Sequence, residues 1–339
     1  MQNVIYKFYK IFWRISFEFF RKERICYDKS VSSPLDYIYN LGYNGINRAT
    51  KLLDKSEVGD EMKKLCDIYC PITATPFVNN DTYCEIMPCE ALRPYIRCFW
   101  GTKKPLSAQA DTTSSGIVIP DTCMDIIFDI NYTENIYSGF FCTIDEHSYS
   151  TGGAIVAYTT ATFAIRFYAW TAILFSEEDF TGRKNSAFAV EEFFSRLKAE
   201  LEPLLFDVPT LDEKIAVTEK LLLKKLYTYR INNSLMNAIY YMLETKGRAK
   251  ITDICTYTSV SERQLERIFN YNMGVSPKAF SSLLRYQLLW QDIALSPSFN
   301  ILDAVEKYGF SDQAHLMNDF KKRHLMTPKA AAEYARKVL

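Results

Sequence analysis

Histidine is scarce in this chain of 339 residues, which contains only His147, His315 and His324. Three scattered histidines are too few for the usual zinc sites or for a Ser-His-Asp triad. The nine cysteines are odd in number and include no C-x-x-C pair, a usage typical of reduced thiols in a cytoplasm. We therefore expect a cytoplasmic protein with no metal, no cofactor and no enzymatic activity.

A long uninterrupted apolar segment is also lacking. The segment 4–25 has apolar residues close to a helical period, but Lys7, Lys10, Arg14 and Glu18 interrupt it. No run approaches the roughly 18 residues that a membrane-spanning helix needs, and no signal peptide is evident. We expect no membrane partner. A basic, aromatic helix can bind a membrane surface, but for this one we favour docking on the rest of the protein or on a second subunit.

The chain has no net charge, because 40 Lys and Arg residues balance 40 Asp and Glu residues. The whole-chain balance thus predicts neither a nucleic-acid nor a membrane partner. The charges are nevertheless segregated: residues 234–339 carry 14 basic and 10 acidic side chains, whereas residues 1–233 carry 26 and 30. A hydrophobic content of 48% indicates a globular protein, and the length predicts two or three domains.

Short β-rich runs separated by turn residues occupy the stretch between about residues 83 and 170. In the run 162–168 polar and apolar residues alternate, so Arg166 and Tyr168 are expected on the strand face opposite to Phe163 and Phe167. Arg166 would then line a cavity or face solvent. These runs predict a mainly β domain in the middle of the chain.

The strongest pattern is an internal repeat in the C-terminal third. Residues 251–261 align with residues 301–311 at an offset of 50, and beyond them the offset becomes 51. Each copy has the pattern of a short helix, a turn residue and a second helix, with Ser261 and Ser311 as the N-caps of the second helices. The repeat therefore predicts two helix-turn-helix units.

The second helix of each unit has one apolar and one polar face. Leu265, Ile268 and Phe269 recur at helical spacing in the first unit, as do Leu316 and Phe320 in the second. The polar faces carry the candidate base-contacting residues Arg263, Gln264 and Arg267 in the first unit and Gln313, Ala314, His315 and Asn318 in the second. Arg can pair with guanine, and Gln or Asn with adenine, so such helices suit the major groove of DNA. The alternative is that these residues form only a solvated surface.

A helix is predicted between the two units, from Pro277 to Ser296. About 18 helical residues span roughly 27 Å, and one turn of DNA separates two reading helices by about 34 Å. A stiff linker of this length can therefore set the separation of the units. The break near Asn232 and Asn233 predicts that residues 234–339 fold and bind DNA without the rest of the chain.

These C-terminal residues resemble the DNA-binding domain of the AraC/XylS family of bacterial transcription regulators. The resemblance rests on the motifs SERQLERIF at 261–269, MGVSPKAF at 273–280, and YGFSDQAHLMNDFKK at 308–322, followed by Thr327 and Pro328. The sequence departs from the family pattern at Ser259 and Leu325, where glycine is usual, and at Ala331-Ala332, which replaces a terminal Tyr-Arg.

The resemblance implies a sequence-specific regulator that binds double-stranded DNA, with activation and contact to RNA polymerase as further expectations from the family. It implies base contacts at Arg263, Arg267, Gln313, Ala314 and Asn318. We expect phosphate contacts from Lys278, Lys321, Lys322 and Arg323. The second unit is expected to contribute less specificity, because the carboxylate of Asp319 repels phosphate.

The middle of the chain, over roughly residues 80–200, resembles the N-terminal sensor portion of some members of the same family. The stretches that carry this resemblance are 92–100, 119–128 and 165–168. It implies a cupin-like module that binds a small-molecule effector or forms a homodimer. The candidate effector-pocket residues are Trp100, Asp125, Arg166 and Tyr168. For Asp125 and Asp129 we favour the solvent side of a strand over a pocket rim, and buried aromatic residues are more often core than pocket.

The predicted fold class is α+β: a mainly β, cupin-like middle domain with flanking helices, and an all-α C-terminal domain with two helix-turn-helix units joined by a linker helix. The predicted domains are a helical extension over residues 1–78, an effector-binding or dimerisation domain over 79–232, and a DNA-binding domain over 233–339. The alternatives are a helical module that binds another protein, or a methyl-transfer or redox sensor that uses Cys123.

Overall fold

The computed structural model describes residues 65–107, 116–151 and 158–337. Most of the predicted extension over residues 1–78, including the amphipathic helix expected at 4–25, lies outside these residues. Among the described residues, no helix is long and apolar enough to cross a membrane.

The middle of the chain is built on an antiparallel sheet of six strands, with a smaller antiparallel sheet of two strands. The strands are β1 (Cys84–Ile86), β2 (Ile96–Gly101), β3 (Gly116–Val118), β4 (Cys123–Asn131), β5 (Ile136–Cys142), β6 (Tyr149–Thr151), β7 (Thr160–Tyr168) and β8 (Ala187–Ala189). The order in the large sheet is β1-β2-β7-β4-β5-β8, and β3 pairs with β6 in the small sheet. The long strands β4 and β7 therefore lie at the centre of the large sheet.

One face of the large sheet forms a core with the first helix that follows it, α1 (Glu191–Asp207). The alternating apolar residues of β7, Phe163, Ile165 and Phe167, are fully buried, as the sequence predicts. Phe167 stacks on Phe194 of α1 with ring centroids 6.1 Å apart. The opposite face carries the polar residues of the same strands, so its chemistry differs from that of the core.

Nine helices account for most of the chain after the sheet among the described residues. After α1 they are α2 (Leu211–Lys225), α3 (Asn233–Glu244), α4 (Ile251–Thr258), α5 (Glu262–Met273), α6 (Pro277–Leu295), α7 (Ile301–Tyr308), α8 (Gln313–His324) and α9 (Pro328–Lys337). The sheet-rich middle and the helical C-terminal part confirm the predicted α+β class.

The internal repeat appears as two helix pairs of equal length. Helices α4 and α7 have 8 residues each, and α5 and α8 have 12 each. The turn residues Ser259 and Gly309 both adopt the left-handed conformation, with φ of 55° and 66°. The prediction of two helix-turn-helix units is therefore confirmed.

One detail of the repeat was wrong. Ser261 caps α5, but α8 is capped by Asp312, whose Oδ1 accepts a hydrogen bond from the backbone N–H of His315 at 2.7 Å, and not by Ser311. The turn of the second unit is therefore one residue longer than that of the first, and the extra residue precedes the N-cap of α8.

The predicted linker helix is α6, which begins at Pro277, directly after the N-cap residue Ser276. Pro277 suits this first position because it has no backbone N–H to leave unpaired. The described residues all belong to one compact unit, in which the linker helix contacts the sheet region, meaning the described residues from 65 to 189. The division into domains near residues 78 and 232 stays a prediction.

Leu325 follows α8, the second helix of the second unit, and adopts the left-handed conformation with φ of 60°. This conformation costs a residue with a Cβ roughly 1–2 kcal/mol, whereas glycine adopts it freely. We expect Leu325→Gly to be more stable than Leu325→Ala by about 1 kcal/mol in urea unfolding. The control is Ala330→Gly at an exposed position of α9, where glycine should cost about 1 kcal/mol; the same sign at both positions would contradict this interpretation.

Candidate nucleic-acid interface

The reading helix of the first unit, α5, has its polar face in solvent. The hydroxyl of Ser261 accepts a hydrogen bond from the backbone N–H of Gln264 at 3.2 Å, which fixes the start of the helix. Leu265 and Phe269 are fully buried against the rest of the unit. As a result Arg263, Gln264 and Arg267 are all exposed, on the side that the sequence predicts.

The reading helix of the second unit, α8, is oriented in the same way by Leu316 and Phe320, which are fully buried. The residues predicted to contact bases in this unit, Gln313, Ala314, His315 and Asn318, are exposed. The ring of His315 lies edge-on to Phe310 at 5.2 Å, and its Nδ1 lies 3.1 Å from the hydroxyl of Ser311. These contacts hold the imidazole at the start of the helix.

The four cations predicted to contact phosphate do not lie in equivalent places. Lys278 is exposed in the first turn of the linker helix α6, and Lys321 and Lys322 are exposed in the last turn of α8. Arg323, by contrast, has its guanidinium turned into the protein. Its Nη2 donates to Ser282 Oγ at 2.8 Å, and its Nε lies 3.8 Å from Asp319 Oδ2. We therefore do not retain Arg323 among the proposed phosphate contacts.

The far ends of both reading helices are docked on the sheet region. At the end of α5, the backbone N–H of Phe180 donates to the carbonyl of Tyr271 at 3.0 Å, and the N–H of Gly182 donates to Asn270 Oδ1 at 3.1 Å. A side chain at Gly274 would collide with the carbonyl oxygen of Arg183. In α8, the carbonyl of Arg323 accepts from the hydroxyl of Ser148. The N-terminal ends of α5 and α8 are therefore exposed, while their C-terminal ends are bonded to the sheet region.

Three of the four predicted effector-pocket residues meet on the polar face of the large sheet. Trp100 Nε1 donates to Asp125 Oδ1 at 2.8 Å, and Arg166 Nε lies 3.5 Å from the same oxygen. Arg166 Nη2 also donates to Asp121 Oδ2 at 2.6 Å. Burial raises the pKa of Asp125, although Arg166 acts in the opposite direction. The cluster therefore holds an arginine between two carboxylates, largely shielded from water.

The favoured expectation that Asp125 lies on the solvent side of its strand was wrong. Only 14% of its side chain is exposed, because its cross-strand neighbour is Arg166 and the two side chains pair. Asp129, four residues further along β4, is exposed as expected, and its Oδ1 accepts from Thr162 Oγ1 at 2.9 Å.

Tyr168, the fourth predicted effector-pocket residue, packs against other residues than this cluster. Its ring stacks on Trp170 with centroids 5.0 Å apart, and Trp170 packs edge-on against Phe280 of the linker helix at 6.3 Å. Tyr168 is almost completely buried. Its neighbourhood belongs to the junction between the sheet region and the linker helix.

A third carboxylate, that of Asp145, lies near the cluster. Burial raises its pKa to about 6, and the negative charges of Asp121 and Asp125 act in the same direction. Asp145 therefore gains a proton at mildly acidic pH, where an ordinary surface aspartate stays ionised.

Cys123 is buried, and burial raises the pKa of its thiol well above the ordinary value. A thiol that stays protonated is a poor nucleophile. The geometry therefore disfavours the sensor alternative based on Cys123. Across the three described segments, no group of three or more His, Cys, Asp or Glu residues is placed to hold a metal ion.

Sequence reasoning missed the polar side chains of the linker helix that hold the sheet region. Gln287 and Gln291 lie one turn apart beside Trp290, and each of the three donates to a backbone carbonyl of residues 70–120. Two glutamines beside a row of apolar residues in a helix were the available signal, since a buried amide needs partners.

Comparison with known protein families finds two matches, neither of which covers half of the chain. Residues 254–334 match a model described as a helix-turn-helix domain. Residues 84–181 match a domain of unknown function, DUF6597. Comparison with curated proteins finds no match.

Among solved structures, the chain is similar to an AraC-type transcriptional regulator from Chromobacterium violaceum, with 26% identity, 30% of this chain and 91% of that chain covered, and a TM-score of 0.28. It is also similar to ToxT from Vibrio cholerae, with 13% identity, 70% and 98% covered, and a TM-score of 0.33. A structure of ToxT with bound unsaturated fatty acid gives 10% identity, 70% and 94% covered, and a TM-score of 0.34. Similarity this low over the whole chain supports no inference about function.

Proposed function

We propose that this DNA-binding transcription regulator, which carries an AraC-type helix-turn-helix domain at its C-terminus, recognises a specific double-stranded operator through α5 and α8. The observation that carries the proposal is the pair of equal helix-turn-helix units, each with its polar reading face exposed at the start of the second helix. Residues 79–232 act as the controlling region and residues 233–339 as the DNA-binding region, in the cytoplasm.

The two units have unequal roles in this proposal. Arg263 and Arg267 give α5 two planar cationic groups that suit guanine, with Gln264 beside them. Helix α8 offers Gln313 and Asn318, while its basic last turn supplies phosphate contacts. The first unit is therefore the main reader, and the second mainly positions the protein on the duplex.

Control comes from the polar sheet face that carries Trp100, Asp125 and Arg166. A buried arginine held by two carboxylates, next to an indole, offers charged and aromatic groups to a small polar effector. Activation through contact with RNA polymerase, and a homodimer, follow from the family resemblance.

The proposal is tested by measuring affinity for promoter-length DNA at increasing salt concentrations. Phosphate contacts release counterions, so the logarithm of the association constant should fall linearly with the logarithm of the salt concentration. A helical module that binds only another protein would give no DNA binding to titrate, and that result would refute the proposal.

The exposed lysines at the end of α8 give a specific expectation for the salt dependence. Replacing Lys321 and Lys322 together with alanine should weaken cognate and random DNA by a similar factor and make the slope shallower by about two. The matched control is Arg323→Ala, which should lower stability through the lost contact with Ser282 and leave the slope unchanged. If the salt slope changes in Arg323→Ala and not in the double lysine variant, then Arg323 contacts phosphate and the two lysines do not.

A further inference from the structure

The segment Cys70–Thr73, called the strap below, is held through its backbone by side chains of the linker helix α6. The three hydrogen bonds join Gln291 Nε2 to Cys70 O at 2.8 Å, Ile72 N to Gln287 Oε1 at 3.1 Å, and Trp290 Nε1 to Thr73 O at 2.9 Å. Because Gln287 and Trp290 are fully buried, these bonds form away from water, where an unpaired amide or carbonyl is costly.

The sheet holds the strap from its other side. Arg97 Nε donates to the carbonyl of Pro71 at 3.1 Å, and the Nη2 of the same guanidinium lies 3.3 Å from Glu85 Oε2 of β1. Arg97 lies at the register shift of β2 between Ile96 and Cys98. The strap is thus fixed between the sheet and the linker helix.

Gln287 makes a second contact that reaches the polar sheet face. Its Nε2 donates to the carbonyl of Pro120 at 2.8 Å, so both ends of the amide are paired. The next residue, Asp121, is the carboxylate that binds Arg166 at 2.6 Å. Asp121 also accepts from the backbone N–H of Cys123 at 2.7 Å, so its carboxylate is bonded within the turn as well as to Arg166. A continuous set of contacts therefore runs from Arg166 through Asp121 and Pro120 to Gln287.

We infer that Gln287 is a positioning residue that couples the Arg166 cluster on the sheet to both DNA-reading helices. This inference rests on the proposed function and adds the route by which the sheet region acts on DNA recognition. The linker helix is the element that both units share, since α5 leads into it at Gly274 and α7 follows it at Asn300.

A fully buried amide with both its oxygen and its nitrogen paired has one satisfactory orientation. If the 120–121 turn moves when Arg166 changes partners, Gln287 must either follow it or leave buried polar groups unpaired. Following it moves α6, which continues from α5 and packs against α8 through Trp290 and Phe320. The coupling therefore needs no contact between an effector and the DNA-binding residues.

The test is a double-mutant cycle on affinity for the operator, in the full chain, with Asp121→Asn and Gln287→Met. Asp121→Asn removes the charge that holds Arg166 and keeps an oxygen for the Cys123 N–H, while Gln287→Met keeps the size of the side chain and removes both hydrogen bonds. If the two residues act through one route, the double variant should lose about fivefold less affinity than the product of the single losses.

The matched control pair is Asp121→Asn with Asp292→Asn. Asp292 lies on the same helix, but it binds Lys307 and Tyr308, at 2.6 Å each, and not the strap. This pair should give the product of the single losses within about twofold. Each variant is first checked for cooperative unfolding, and if Gln287→Met does not fold, the exchange measurement on Asp121→Asn decides the coupling.

A second readout is independent of DNA. Amide hydrogen exchange in the free protein should rise in α6, α5 and α8 when Asp121 is replaced, because the constraint on the linker helix is weakened. Additive affinity losses together with unchanged exchange in these helices would overturn the coupling, as would tighter operator binding in both single variants. If the unaltered protein shows no preference for any DNA sequence, the proposed function fails, and the exchange experiment still decides the coupling.

Discussion

Replacing Arg263 or Arg267 with alanine is expected to weaken binding to the cognate operator by about 1–3 kcal/mol per residue, or about five- to 150-fold. Both side chains are exposed on the polar face of α5, beyond a helix start that Ser261 fixes. A guanidinium paired with a guanine loses two hydrogen bonds on truncation. The measurement is a titration of operator and random DNA with each variant under the same salt conditions.

The feature that distinguishes a lost base contact is a loss of discrimination between operator and random DNA. Binding to random DNA should change little, because a base contact contributes only on the correct sequence. The matched control is Lys278→Ala, which should weaken both DNAs alike. Replacement of Gln313 and Asn318 should cost less discrimination than replacement of the two arginines. Equal losses on operator and random DNA would show that the arginines contact phosphate. If the changes at Gln313 and Asn318 cost more discrimination than the arginine changes, the second unit would be the main reader and the first would position the protein.

The isolated region 233–339 is expected to be less stable than the same residues within the whole chain. In the whole chain Trp290 and Phe280 of the linker helix are fully buried, partly by Thr73 and Trp170 of the sheet region. A large apolar side chain contributes about 1.5–3 kcal/mol when fully buried. Partial exposure of these two residues should therefore lower the free energy of unfolding of the region by about 2–4 kcal/mol.

Denaturant unfolding of the fragment, followed by the fluorescence of Trp290, checks this expectation. Trp290 is the one tryptophan within 233–339, so the signal reports the linker helix. A fragment of residues 65–339, which keeps the strap and the sheet, should unfold at a higher denaturant concentration than the 233–339 fragment. A 233–339 fragment as stable as the full chain would show that the linker helix needs no support from the sheet region.

The two units were predictable because their signals are local. The spacing of Leu265, Ile268 and Phe269 fixes which face of α5 is buried. The same spacing logic leaves Arg263 and Arg267 exposed without reference to the rest of the chain. The turn at Ser259 is predictable from the alignment of the two copies, which places it opposite Gly309, and not from the preference of serine.

Two differences from the sequence predictions come from contacts between residues distant in sequence. The orientation of Asp125 depends on Arg166 in the neighbouring strand, and a pattern read along one strand does not show that partner. Arg323 belongs to a basic run in the sequence, but its guanidinium donates to Ser282 on the linker helix. The cap of α8 is a local difference, because the carboxylate of Asp312, and not the hydroxyl of Ser311, accepts from the His315 N–H.

The self-sufficiency of residues 234–339 was inferred from a break in the helical pattern near Asn232. That break is present, since α3 begins at Asn233 after an N-cap at Asn232. The contacts that cross it, from Gln287 and Trp290 to residues 72, 73 and 120, carry no signature in the local sequence. The independent folding of residues 234–339 therefore stays a prediction, which the unfolding of the fragment tests.

Selection of binding sites from a random double-stranded DNA library tests the central claim most directly. The account predicts enrichment of one motif with two segments about ten base pairs apart, the spacing of successive major-groove faces. The segment read by α5 should be the better defined, and it should lose its definition in the Arg263→Ala and Arg267→Ala variants. DNA recovered without any common motif would contradict the claim that this protein reads DNA sequence.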